Sequence, residues 1–292
     1  MAITAAMVKE LRERTGAGMM ECKNMLVESN GDMDEAISTM RKKGAAKADR
    51  KAGRIAAEGR IVASLNESSS EGVLLEVNSE TDFVAKDGNF VGFVEAVGAA
   101  VLVDKPVDVA ALINLPLENG ETVEETRAAL VSKVGENIQV RRFELMTTEK
   151  GSVYSYLHGE KIGVILSMVG GDEALGKDIA MHIAASNPSC VTEDEVPAED
   201  IEKEKEILIA QAEGSGKPAN IIEKMVEGRM RKFLSEITLV GQPFVKDPDQ
   251  TVGKLLKSAG ASIEGFVRYE VGDGIEKKQE DFAAEVKAQM GG

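Results

Sequence analysis

The sequence predicts an α+β fold: two related core subdomains, each an antiparallel sheet with a helix, with an N-terminal three-helix module, an inserted antiparallel coiled coil and a C-terminal helical module. Three observations lead there. A strand–strand–helix–strand pattern occurs twice, three short amphipathic segments precede the first copy, and a charged insertion with near-heptad apolar spacing interrupts the second. The 292 residues suffice for roughly two domains at ~100–200 residues each.

In chain order, Thr4 is placed to cap a helix whose Met7, Val8 and Leu11 share one face, and Thr15-Gly16-Ala17-Gly18 stops it. Met19, Cys22, Met25 and Leu26 form a second apolar stripe, ended by Asn30-Gly31. Asp32, with Glu35 three positions on, resembles a capping box for a third helix bearing Ala36, Ile37 and Met40, which Gly44 is expected to end. A bundle this small is marginal alone, so a docking role is its most economical use, with a structural appendage as the other reading. Residues 45–58 read as an Ala/Lys/Arg-rich connector, partly helical.

The first core copy has β-runs at Gly59–Leu65 and Gly72–Val77, an apolar helix from Phe90 to Val103 and a closing strand at Val140–Glu144. The second has runs at Gly151–Leu157 and Gly163–Met168, a helix from Leu175 to Ser186 and a closing strand at Val267–Glu270. Gly135 and Gly260 lie upstream of the two closing strands. Within the insertion, Ile201, Leu208 and Ala212 recur on a charged background, Gly214 to Pro218 breaks the helix, and Ile222, Met225 and Arg229 resume it. That is a helical hairpin with a seam too narrow for a full core. Ile275, Phe282, Val286 and Met290 mark the apolar positions of a C-terminal helix over 274–292. The boundaries that follow are 1–55 for the docking module and linker, 56–145 for the first core subdomain, 146–187 with 230–273 for the second, 188–229 for the coiled coil and 274–292 for the C-terminal module.

With 35 Lys and Arg against 50 Asp and Glu, the net charge is −15. A chain this acidic repels nucleic acid and anionic lipid as a whole, so neither is an expected partner. Residues 41–60 are a local exception, with Arg41, Lys42, Lys43, Lys47, Arg50, Lys51, Arg54 and Arg60 against Asp49 and Glu58. They read as a solvated linker or as a surface for an acidic protein. The N-terminus has no apolar targeting core and no segment approaches the ~18 apolar residues of a membrane span, so a cytoplasmic protein is expected. Cys22 and Cys190 allow one disulfide at most and read as structural thiols.

Phosphate-loop chemistry is missing from the sequence. Gly216-Lys217 is followed by Pro218 and Gly253-Lys254 by Leu255, where a phosphate cradle needs Ser or Thr. His158 and His182 have no cysteine partners at metal-ligand spacing, and neither stands in a recognisable nucleophile context. No cofactor or resident metal is expected. Counting alone leaves a serine or cysteine hydrolase open, and paired carboxylates are uninformative in so acidic a chain.

Between the first pair of strands and the first core helix lies Asn78-Ser-Glu-Thr81-Asp82-Phe83-Val84-Ala85-Lys86. A Phe beside an Asp at a strand end has two readings. Either Asp82 caps a helix and Phe83 tucks into its own core, or Phe83 is presented to another molecule.

The residues alone leave both open, and several longer motifs bear on the choice. Val8-Lys-Glu-Leu-Arg-Glu-Arg-Thr-Gly-Ala-Gly-Met-Met20, Leu75-Glu-Val-Asn-Ser-Glu-Thr-Asp-Phe-Val-Ala85, Val134-Gly-Glu-Asn-Ile138, Ile179 to Ser186, Glu223 to Arg229 and Gly241-Gln-Pro-Phe244 span nearly the whole chain. In these the chain resembles the bacterial elongation factor Ts family, with small departures at Ser79-Glu80 and Lys86-Asp87-Gly88. The resemblance implies a UBA-like N-terminal module and guanine-nucleotide exchange on elongation factor Tu, in its GDP-bound and nucleotide-free forms, without covalent chemistry. It implies that Thr81, Asp82, Phe83, Val84 and Ala85 enter the partner's nucleotide domain, with Phe83 as a wedge and Asp82 disturbing the Mg²⁺ and phosphate surroundings. Val134 and Gly135 would touch the partner nearby. Arg12, Met19, Met20 and Lys23 would dock on a helix of its nucleotide domain, and His158 and the helix bearing His182 would face its other domains. A passive scaffold for a translation protein and an enzyme with an unrecognised carboxylate site are the competing classes. Self-association and the coiled coil's role stay open.

Overall fold

The computed structural model describes residues 2–214 and 218–276, which form two compact units. The first comprises residues 2–60, 76–143 and 270–276, and the second residues 61–75 and 144–269.

The first unit opens with α1 (Ala5–Thr15), α2 (Met19–Glu28) and α3 (Met33–Lys51). Thr4 caps α1 by accepting the Met7 N–H at 3.3 Å, and Asp32 caps α3 by accepting that of Glu35 at 2.9 Å. Val8, Leu11, Cys22, Met25, Leu26 and Ala36 form the bundle core. Met19 is not among them: it is exposed, and the buried side of α2 runs through Cys22, Met25 and Leu26. Nor does Gly44 end the third helix. It is buried in mid-α3, where a Cβ would lie 3.9 Å from both the Ala128 carbonyl and the Ser132 side chain of a later helix. A mid-helix Gly costs about 1 kcal/mol, and here the close approach of two helices outweighs it. The first half of the expected connector is therefore the end of α3, in line with its partly helical reading.

Strands β1 (Glu58–Leu65) and β2 (Glu71–Ser79) lead to α4 (Asp82–Ala85), α5 (Gly88–Asp104), α6 (Val109–Leu112), α7 (Val123–Val134) and β3 (Ile138–Thr147). The sheet order is β1-β2-β3. The central strand β2 is buried at every position from Gly72 to Ser79, as expected when both faces are covered. Phe90, Val94, Val97 and Val101 give α5 a fully buried stripe at helical spacing.

In the second unit, β4 (Ser152–His158) pairs antiparallel with β5 (Ile162–Val169), from Ser152 opposite Met168 to His158 opposite Ile162. Then come α8 (Glu173–Ser186), α9 (Ala198–Glu213), α10 (Ala219–Ile237), the short strands β6 (Pro243–Phe244) and β7 (Asp247–Thr251), α11 (Val252–Ser258) and β8 (Ser262–Glu270). The sheet order is β4-β5-β8. Val164, Leu166 and Met168, alternating along β5, pack with Ile179, Ala180 and Ile183 of α8 and with Leu239, Phe244, Val252 and Leu256.

The helical hairpin is present as α9 and α10, with a seam of Leu208, Ala212 and Val226 supported by Ile209, Ile222 and Met230. Arg229, expected on that seam, is exposed, and α10 runs on to Ile237. The repeat also goes further than its strands suggest. In both copies a helix and a left-handed glycine precede the closing strand: α7 with Gly135 at φ 81° before β3, and α11 with Gly260 at φ 61° before β8. Ile275 follows the turn at 271–274 and has no regular secondary structure, and Phe282, Val286 and Met290 fall outside the described residues.

Candidate functional site

The loop after β2 is where an aromatic side chain leaves the fold. Thr81, in extended backbone, caps the four-residue turn of α4 by accepting the Val84 N–H at 3.4 Å. Asp82 is therefore not the cap. Its carboxylate instead meets Lys86 Nζ at 2.8 Å, one turn on. Val84 and Ala85 are buried and anchor the turn, whereas Phe83 is 82% exposed. The reading in which Phe83 tucks into its own core is thereby overturned. A single helical turn facing solvent directs Val84 and Ala85 inward and the residue before them outward.

Bonds from distant segments fix the turn. Glu136 accepts both Thr81 donors, the backbone N–H at 3.0 Å and Oγ1–H at 2.7 Å. Glu80 accepts the Asn137 backbone N–H at 2.6 Å and lies 3.6 Å from Arg54. The buried Asn137 amide donates to the carbonyls of Ala52 at 3.3 Å and Arg54 at 2.8 Å, and Lys51 Nζ donates to the Gly135 carbonyl. On the far side, Asp87 caps α5 by accepting the Asn89 and Phe90 N–H groups, while Lys133 Nζ donates to Asn89 Oδ1 at 2.8 Å. The hydrogen bond from the Asn89 side chain, followed by the backbone ones, holds the Asp87 carboxyl below its ordinary range. Half-buried Val134 and exposed Gly135 sit at the end of α7, directly before Glu136. The structure thus brings Thr81–Ala85, Val134 and Gly135 into one locality, as the sequence motifs suggested.

Arg12, Met19, Met20 and Lys23 lie on the exposed side of α1 and α2 in the same unit. Sequence reading missed Val27, also exposed there. Met19, Lys23 and Val27 are spaced i, i+4 and i+8, a pattern that marks one helix face, so the signal was in the sequence. Three of the six basic residues of α3 meet a carboxylate of their own unit: Arg41 meets Glu121 at 2.6 Å, Lys43 meets Glu28 at 2.6 Å and Lys47 meets Glu21 at 2.8 Å.

The two histidines differ. His158 is exposed on the edge strand β4, with its ring stacked on Tyr156 and its Nδ1 3.4 Å from the tyrosine hydroxyl. His182 is fully buried, with Nε2 2.9 Å from Gln242 Oε1 and Nδ1 accepting the Val245 N–H at 3.1 Å. Its side chain presents no surface. It ties α8 to the residues on either side of β6, so the expectation of a direct partner contact gives way to a supporting role. Cys22 and Cys190 are both free thiols, and burial, with Glu195 nearby, pushes the Cys190 thiol up.

Among the described residues, no group of three or more His, Cys, Asp or Glu side chains could hold a metal ion, and no helix is long and apolar enough to cross a membrane. What the loop offers is a rigidly mounted aromatic side chain beside a carboxylate.

Comparison with known proteins places the whole chain in one family. A family model described as "Elongation factor TS" matches residues 80–273. Elongation factor Ts of Thioalkalivibrio sulfidiphilus is 62% identical over 293 residues, covering 100% of both chains. The protein of the same name from Methylococcus capsulatus is 60% identical over 290 residues, 99% of each chain, and that of Alkalilimnicola ehrlichii 60% identical over 292 residues, 100% of each.

Proposed function

The chain belongs to the elongation factor Ts family, and from that premise we infer that it is a guanine-nucleotide exchange factor for elongation factor Tu in translation elongation. Its working part is the Thr81–Ala85 loop. The observation that carries this reading is Phe83, 82% exposed at the tip of a turn whose neighbours Val84 and Ala85 are buried.

The physics is linkage. A protein that binds the nucleotide-free partner more tightly than the GDP-bound one weakens nucleotide binding by the same factor. Full burial of a Phe side chain contributes roughly 1.5–3 kcal/mol, available only if the partner opens a pocket for it. Little of that is lost to ordering the loop, because Glu136 already holds Thr81 before any partner arrives. Asp82, carried on the same turn, brings a carboxylate toward the Mg²⁺ that ties the nucleotide phosphates to the partner. Shifting the ligands of that ion weakens the hold on GDP. Val134 and Gly135, next to the loop, and the α1–α2 face with Arg12, Met19, Met20 and Lys23 supply further contact. His158 offers one from the second unit. The exchange factor needs no nucleophile or cofactor, since it lowers a dissociation barrier and forms no covalent bond.

The test is stopped-flow release of fluorescent GDP from elongation factor Tu. Phe83→Ala is expected to slow release by about 10- to 100-fold, the kinetic equivalent of the burial energy it removes, with an unchanged melting profile. Normal release by a folded, binding-competent Phe83→Ala protein would reject the wedge and leave a passive scaffold.

A further inference from the structure

We infer that Glu136 and Asn137 are positioning residues for exchange: together they fix the direction of the Phe83 loop and join it to the end of helix α3, an inference that rests on the wedge reading above.

An isolated helical turn of four residues has no stability of its own, because nucleation costs more than one turn's hydrogen bonds return. The α4 turn keeps only Val84 and Ala85 in the interior, and its one large side chain contributes nothing to its own anchoring. With Val84 and Ala85 as its only anchors in the interior, the start of the turn is directed by its cap, at Thr81. Both donors of Thr81 go to one carboxylate, that of Glu136, 55 positions away in sequence. The bonds are charge-assisted and fork-like, which fixes direction as well as distance. The neighbouring pair runs the opposite way, with Glu80 accepting the backbone N–H of Asn137. Residues 80–81 and 136–137 thus hold each other through two carboxylates, one from each segment.

Asn137 extends the clamp to a third segment. The residue is 3% exposed, and its side chain donates to the carbonyls of Ala52 and Arg54, just past the end of α3. Lys51 at the end of α3 donates to the Gly135 carbonyl, and Arg54 lies beside Glu80. The helix that completes the N-terminal bundle and the turn that carries Phe83 consequently end on the same two residues. A partner docked on the α1–α2 face and pressed by Phe83 meets one braced body rather than two parts joined by a soft loop.

A positioning role separates from a merely structural one in the concentration dependence of GDP release. Loss of direction at Phe83 lowers the release rate at saturating exchange factor. A smaller folded fraction instead moves the half-saturating concentration and leaves the plateau intact. Glu136→Ala and Asn137→Ala are expected to lower the plateau by about tenfold, as the loss of charge-assisted or buried hydrogen bonds would, with half-saturation moved by less than about twofold. Glu136→Gln, which keeps one acceptor for Thr81, is expected to recover part of the plateau. In a Phe83→Ala background, Glu136→Ala should slow release no further, because it acts through that ring.

Should Glu136→Ala or Asn137→Ala fold poorly, Glu136→Gln and Thr81→Val carry the same measurement. If Phe83→Ala lowers the plateau while the clamp variants keep the wild-type one, the positioning role is overturned and the wedge stands. If Phe83→Ala itself leaves the plateau unchanged, the wedge falls and the positioning role falls with it.

Discussion

His182 shows how a side chain of apparent chemical promise is spent on architecture. The Val245 backbone N–H can only donate, so the Nδ1 it meets must be the unprotonated nitrogen and Nε2 carries the hydrogen toward Gln242 Oε1. A second proton would have to sit on Nδ1, facing another N–H. Burial pushes the pKa of His182 down, and the Gln242 bond opposes that only in part. The folded pKa therefore lies below the unfolded value of about 6.5. Between the two values the unfolded chain binds more protons, so the contribution of neutral His182 is fully present above about pH 6.5 and is lost as pH falls from there toward the folded pKa. His182→Ala is expected to cost about 2–4 kcal/mol at pH 7.5, from a cavity and an orphaned backbone donor. It should also flatten the pH dependence just below about 6.5; urea titrations at a series of pH values check both. Counting histidines could not reveal this, because the partners of His182 lie 60 and 63 residues away. The Thr81–Glu136 clamp escaped sequence reading for the same reason, whereas Phe83 and its neighbours form one continuous motif, which is what carries the family resemblance.

Helix α7 marks the limit of legibility among the elements. Its start carries a full capping box: Thr122 Oγ1 accepts the Glu125 N–H at 3.1 Å while the Glu125 carboxylate accepts the Thr122 N–H at 2.9 Å. That signal was readable and went unread, because the apolar pattern behind it is weak. Val123, Ala128, Leu130 and Val131 are buried on more than one side, since α7 packs against both α3 and α5, and a helix covered twice shows no single stripe. The coiled-coil hairpin was legible for the opposite reason, having one narrow seam on a charged surface. Its last turns, where Phe233 and Ile237 continue the spacing of Ile222, Val226 and Met230, escape a reading that sets Met225 and Arg229 on the seam. The two ends of α7 also predict different phenotypes. Thr122→Ala removes the cap at the end remote from Gly135 and Glu136, so it should lower stability by about 1 kcal/mol and leave GDP release unchanged. Parallel thermal melts and stopped-flow traces would show the two readouts separating, and slowed release would mean that fraying at the start of α7 reaches the loop.

At the scale of the whole chain, the first unit is assembled from three separate stretches, and the last of them is secured by one buried carboxylate. Glu76 on β2 has no solvent exposure, yet it meets Arg141 at 2.9 Å and Arg142 at 2.6 Å and accepts the Gly272 N–H, 196 residues distant, at 2.8 Å. The two arginines reach on to the carbonyls of Asp273 and Glu270, and Gly272, at φ 74°, passes so close to the Ala57 carbonyl that a Cβ would collide with it. Burial alone would raise the pKa of Glu76. The Gly272 N–H and the side chains of Arg141, Asn78 and Arg142 outweigh it, so the folded value lies below the ordinary one. A carboxylate with a depressed folded pKa contributes stability that is complete above its unfolded pKa of about 4.3 and is lost as pH falls through the folded value. The net charge of −15 does not set this limit, because the carboxylates that matter are those whose pKa changes on folding. Glu76→Gln keeps the shape and one acceptor but leaves two guanidinium groups without their buried counter-charge. It should cost about 3–5 kcal/mol at neutral pH. It should also remove much of the acid sensitivity below about pH 4.3, so that wild type and variant converge in stability as acid is added. Denaturation midpoints at neutral and acid pH would establish this, and a gap between the two proteins that stays constant with pH would mean that Glu76 does not govern the acid limit of the first unit.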